Sequence, residues 1–169
     1  MRSPLPRPSA RSGIGKRAAA CALLACSGMA HTAVPSTFGT VIGNAVLCLD
    51  HLDNQYFYSY LSNSFGAAYK REGGAYWFKA EDATLWGAPL TDVIVSDDSS
   101  RLVFIGAVLD TTPEKLDQAI IASAGLHHMV TDASAFPVRA SSPGSKIIHF
   151  NTKSKVFCAK YKPLPQGLR

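Results

Sequence analysis

The sequence predicts an α+β fold: a mainly antiparallel sheet with two helices packed against it, in a single domain, closed by a Cys48–Cys158 disulfide. Three observations predict it. Two segments combine helical start and stop signals with apolar residues spaced three and four apart. The other apolar runs are short, β-prone and separated by turn-length connections, as expected of strands that pair with their sequence neighbours. Finally, once the first thirty residues are set aside, two cysteines remain, one near each end of what is left.

Those thirty residues read as an export signal. Residues 1–17 carry five positive charges (Arg2, Arg7, Arg11, Lys16, Arg17) and no acid, and residues 18–30 carry no charge. Gly28 and Ala30 form a small-x-small exit, so residues 1–30 have the three parts of a secretory signal peptide. The apolar run is shorter than the roughly 20 residues a bilayer span needs. The expected location is therefore outside the cytoplasm, periplasmic or secreted. Leu23-Leu24-Ala25-Cys26 resembles a bacterial lipobox and offers an alternative, a lipoprotein anchored to the membrane through Cys26.

Processing also changes the charge. Of 17 basic residues, five lie in the leader, which leaves 12 against 12 acids. A nucleic-acid binder carries a basic excess, so nucleic acid is not an expected partner. Cys48 and Cys158 in an oxidising compartment predict a disulfide closing a loop of about 110 residues.

The elements follow in order. Residues 31–43 read as a loosely ordered lead-in, with the domain over 44–169, and 44–49 as a strand or helix entry. In "DHLDNQYFYSYLSNSF", Asp50 and Asp53 favour a helix N-terminus. At helical spacing Leu49, Leu52, Tyr56, Phe57 and Tyr60 share one side, opposite His51, Gln55, Tyr58 and Ser62, and Gly66 ends the run. Glu72-Gly73-Gly74 predicts a hairpin turn. Residues 90–96 alternate as a strand, and 97–100 (DDSS) form a turn. Residues 101–109 are apolar on both faces, which predicts a central strand covered on both sides, with Gly106 admitting close packing or a bulge. Thr112, Pro113 and Glu114 open the second helix, Leu116, Ala119, Ile120 and Ser123 face inward, and Gly125 closes it. Strands are expected at 127–131, 137–140, 146–151 and 155–161.

Chemistry is harder to place. Nucleophile and metalloprotease motifs are absent. His127-His128 precedes Asp132, but neighbours on a strand point to opposite faces, so the pair does not chelate as a pair. His128 with Asp132 is the catalytic candidate. Asp50-His51 and Asp53 read as helix-start acids beside a solvated histidine. No metal and no cofactor is expected. The aromatic residues Tyr58, Trp77 and Trp86 are the binding candidates: Tyr58 interrupts the apolar side of its helix, and Trp77 points away from Tyr76 and Phe78. Exposed Tyr and Trp offer large contact area with little entropy loss. The expected function is an exported non-catalytic domain with a protein partner, a protein-binding or envelope accessory role. The alternatives are a small hydrolase using His128 and Asp132, or a periplasmic small-ligand binder with a pocket lined by Tyr60, Trp77 and Trp86.

Overall fold

A computed structural model describes residues 34–162. The signal-peptide reading, Cys26 and the exit at Ala30 lie outside the described residues. The element order is α1 (Phe38–Val46), α2 (Asn54–Phe65), β1 (Lys70–Glu72), β2 (Ala75–Lys79), β3 (Thr84–Leu85), β4 (Ala88–Ser96), β5 (Leu102–Leu109), α3 (Pro113–Ala124), β6 (Met129–Val130), β7 (Arg139–Ala140), β8 (Lys146–Phe150) and β9 (Lys153–Tyr161). The strands form one antiparallel sheet in the order β1-β2-β4-β5-β9-β8-β7-β6, with β3 paired to β4. The α+β fold in a single domain stands as the sequence predicts, with a third helix added to the expected two.

Strand register sorts the side chains between two faces, because the side-chain period of a strand is two. On one face lie Phe78, Val93, Val95, Ile105, Ala107, Leu109, Ile147, Val156 and Cys158, all buried. They form one core with Phe38, Ile42 and Val46 of α1, Phe57 and Leu61 of α2, and Leu116 and Ile120 of α3. All three helices thus cover the same side of the sheet. Each fully buried aliphatic side chain contributes about 1.5–3 kcal/mol relative to exposure.

The additional helix corrects the reading of residues 31–43 as a loosely ordered lead-in. α1 starts at Phe38, which is buried and meets Phe65 edge to face at 5.3 Å. Local signals for this helix are poor. Thr37 makes no cap with its side chain, whose hydroxyl pairs with Tyr60 instead at 3.2 Å, and two glycines and four β-branched residues lie within the helix. Burial of Phe38, Ile42, Ala45 and Val46 against the sheet is what holds it.

α2 is capped by Asp53, which accepts a hydrogen bond from the Tyr56 amide at 3.0 Å, and ends at Gly66 with φ +83°. Its inward stripe is Phe57, Leu61 and Ser64. Tyr56, expected inward, is half exposed, and Leu49 lies before the helix begins, so the buried face is rotated from the expected one. α3 matches its signals: Thr112 caps the Lys115 amide, Pro113 sits in the first turn, and Gly125 takes the left-handed conformation at φ +67°. Its Ser123 is exposed rather than inward.

The disulfide joins Cys48, just past α1, to Cys158 in β9, with Cα atoms 5.2 Å apart across a sequence separation of 110. It ties the first helix to the centre of the sheet. The largest departure from expectation concerns β5. Among the described residues its second face carries no helix, so a strand apolar on both sides is covered there on only one.

Candidate binding face of the sheet

The uncovered face can be followed across the strands through residues that lie opposite one another: Lys70, Trp77, Ile94, Gly106, Phe157, Lys146, Ala140 and Met129. Alternation adds Leu102 and Phe104 from β5, Ile148 and Phe150 from β8, and Lys153, Lys155, Ala159 and Tyr161 from β9. None of these belongs to the core shared with the helices, and among the described residues no element lies over them. Trp77, Leu102, Phe104, Ile148, Phe150 and Phe157 are half-buried by their neighbours alone. A contiguous apolar surface of this kind is what makes this face the candidate site.

Gly106 shapes the centre of this face. A Cβ there would lie 3.0 Å from Ile94 Cγ1 and 3.1 Å from Phe157 Cβ. Only glycine lets these two side chains close together over the strand. Around them a hollow of about 190 Å³ is lined by Ile94, Leu102, Phe104, Ile148, Lys155 and Phe157, with Ala159 at its edge. Trp77 of β2 and Phe150 of β8, from strands separated in the sheet by β4, β5 and β9, bring their ring centres within 6.2 Å of one another.

Charge on this face is one-sided. Its carboxylates already have partners. Glu72 pairs with Lys70 at 2.7 Å, and Asp92 pairs with Lys79 at 3.1 Å and accepts a hydrogen bond from the Tyr69 hydroxyl at 2.9 Å. Burial works against the Asp92 charge, yet the bonds from Tyr69 and Lys79 outweigh it and hold its pKa below the usual carboxylate value. Lys146, Lys153 and Lys155 have no carboxylate partner among the described residues. Lys155 is the notable one. Its Nζ lies 5.0 Å from the Phe150 ring centre and 5.8 Å from that of Phe157. Burial among these rings pulls its pKa below the ordinary lysine value.

The three aromatic binding candidates do not converge. Trp77 lies on the open face, with Lys70 Nζ 4.4 Å from its ring centre. Tyr58 lies on the helix side, edge-on to Tyr76 at 4.7 Å and to Phe78 at 5.6 Å. It borders a cleft of about 370 Å³ with Asn54, Gln55, Tyr76, Asp97 and Asp98. One carboxylate beside that cleft is matched: Arg71 sits over Tyr76 and pairs with Asp97, whose pKa falls to about 2 through hydrogen bonds from Ser99 and Arg71. Trp86 sits at φ +52° in the tight turn from β3 to β4 and packs its indole over Gly43 of α1. Tyr60, Trp77 and Trp86 therefore cannot line one pocket, because Trp77 points to the opposite side of the sheet from the other two.

The catalytic candidate is also rearranged. Asp132 is exposed and turns its carboxylate to the amides of Ser134 and Val138, at 3.0 and 2.9 Å. The partner of His128 is Asp117 of α3, whose Oδ1 lies 3.1 Å from both the His128 amide and Nδ1. On the far side, His128 Nε2 lies 2.8 Å from Ser145 Oγ, which is 2.7 Å from Ser141 Oγ. With Nδ1 protonated, this is the hydrogen-bond order of a serine-hydrolase triad. Burial gives it another role. Ser145 is fully buried and His128 is 3% exposed, so no substrate carbonyl reaches the hydroxyl. The array instead links α3 to the turn before β8, and Arg139 extends it by bonding Glu114 at 3.0 Å. No group of three or more His, Cys, Asp or Glu side chains among the described residues is placed to hold a metal.

Comparison with protein-family models, with curated proteins and with solved structures gives no match. Sequence reasoning missed Phe104, Phe150, Lys155 and Phe157 as site residues. The signal for the first was present, since 101–109 is apolar on both faces. Only the layering shows that one of those faces has no cover among the described residues.

Proposed function

We propose that this chain is an exported, non-catalytic domain that binds another protein through the uncovered face of its sheet. The observation that carries the reading is that apolar face, centred on Ile94, Phe104 and Phe157, with no layer over it among the described residues. The Cys48–Cys158 disulfide supports the exported half, since such bonds persist in oxidising compartments. No described helix is long and apolar enough to cross a membrane. The enclosure of Ser145 and His128 speaks against hydrolysis. The hollow on the open face is smaller than the usual 300–1,000 Å³ of a small-molecule site, which favours a macromolecular occupant.

The test uses a photo-cross-linking residue. Phe150→p-benzoylphenylalanine places it on the open face, and Gln118→p-benzoylphenylalanine places it on the exposed side of α3. After irradiation in the native host, a discrete polypeptide adduct is expected from position 150 and not from position 118. Equal adducts at both positions, or none at 150, would remove the basis for the interface. Intact-mass analysis of the same material checks export: a chain beginning at His31 or carrying acyl groups on Cys26 supports it, and retention of Met1 refutes it.

A further inference from the structure

We propose that the segment docked on this face is acidic as well as apolar, its carboxylates meeting Lys146, Lys153 and Lys155 while apolar side chains fill the hollow between Ile94, Phe104 and Phe157. This rests on the preceding reading of the face as an interface and adds the chemistry of the partner.

Charge complementarity carries the inference. The face presents three lysines that no carboxylate of the described chain neutralises, while both of its own carboxylates are already paired. Lys155 is the most informative of them. It lines the apolar hollow, and its ammonium lies near the Phe150 and Phe157 rings with no carboxylate partner among the described residues. An ammonium held there has lost part of its hydration and gained cation–π contacts in return. A carboxylate arriving with an apolar segment would complete its shell in a site from which water is then excluded, where charge-assisted bonds are strongest. Docked protein surfaces select partners in this way, by opposite potentials around an apolar centre.

The same charge distribution disfavours the other occupants. A second copy packed through this face would bring the lysine cluster against its own equivalent, and like charges across an interface are costly. A bilayer accepts apolar groups that project into it. Here the apolar side chains that line the hollow lie on strands within the sheet, flanked by their neighbours, and none is carried outward on a loop or helix.

The experiment is selection of a random-peptide display library against the full, disulfide-bonded chain, followed by binding of one synthetic enriched peptide to variants. Enriched peptides are expected to carry Asp or Glu beside Leu, Ile, Phe or Trp. Lys155→Gln should weaken binding on the order of tenfold, the scale of one desolvated charge pair. Phe150→Ser should weaken it comparably, with both variants melting within a few degrees of the parent. Peptides that depend on Phe150 but show no acid excess and ignore Lys155→Gln would overturn the acidic partner and leave the interface standing. Peptides indifferent to both substitutions would overturn the interface itself. Failure to enrich any peptide counts against the proposal. So does a concentration-dependent dimer in sedimentation velocity, or binding to phosphatidylcholine–phosphatidylglycerol vesicles that Lys155→Gln abolishes; these would assign the face to a second copy or to lipid.

Discussion

Removing the Cys48–Cys158 bond tests how the fold is held together. The bond closes 110 residues, nearly the whole described chain. In the chain-entropy treatment, a loop of that length restricts the unfolded state by about 16 cal/mol/K, or about 5 kcal/mol at 25 °C. That is a large share of the roughly 5–15 kcal/mol by which domains are stable. At this chain length each kcal/mol moves the melting temperature by roughly 3–5 °C, so the Cys48→Ala, Cys158→Ala variant should melt roughly 15–25 °C below the parent. Native-state cost adds little, because Cys48 is partly exposed and the buried Cys158 becomes another small apolar residue. The assay is calorimetry of the parent, the parent with reductant, and the variant. The reduced parent and the variant should coincide. A fall of less than about 5 °C would refute the argument, since it would mean that α1 and β9 are held together in the unfolded ensemble without the bond, or that the bond is not formed.

The other predictions concern the two faces of the sheet and the buried histidine. Ile105 and Phe104 are neighbours in β5 that point to opposite faces. Ile105→Ala, in the helix-covered core, should cost about 2–5 kcal/mol in urea unfolding. Phe104→Ala removes a larger side chain yet should cost only about 1 kcal/mol, because the ring is half-buried and no cavity closes over its site. Equal losses would mean that the second face is covered after all. Burial holds the His128 pKa below its ordinary value; the hydrogen bond and charge of Asp117 work against this, and the Arg139 charge adds to it. The folded state therefore binds this proton less readily than the unfolded state. The contribution of His128 is complete above about pH 6.5 and declines as pH falls below that toward the folded pKa. Urea midpoints between pH 7.5 and 5 should fall for the parent and flatten for His128→Gln, and parallel curves for the two would sink the assignment.

Much of the fold was legible from local chemistry. Asp53, Thr112, Pro113 and Gly125 act at helix ends whatever surrounds them, because a cap satisfies backbone groups within a few residues. Gly73 and Gly74, at φ +62° and +74°, mark the β1–β2 turn for the same local reason. The pairing of Cys48 with Cys158 followed by elimination, once residues 1–30, with the other two cysteines, were read as an export signal. α1 was not legible, since its caps are weak and its glycines unfavourable, and only the far side of the core makes it a helix. The partner of His128 was equally hidden. Asp132 is four residues away and points elsewhere, while Asp117 and Ser145 are brought to it by α3 and the turn before β8.

The sequence by itself determined the start and stop of two helices, the strand periods, the body's balanced charge and the sulfur pairing, because each depends on residues near in the chain or on simple counting. Tertiary structure decided which face of each apolar strand is covered. Period-two alternation tells a strand's two sides apart but not what lies above either, and that depends on where three helices, distant in sequence, come to rest. They all rest on one side. The apolar and lysine-bearing surface left on the other is a property of the assembled layers that no single segment of the chain records.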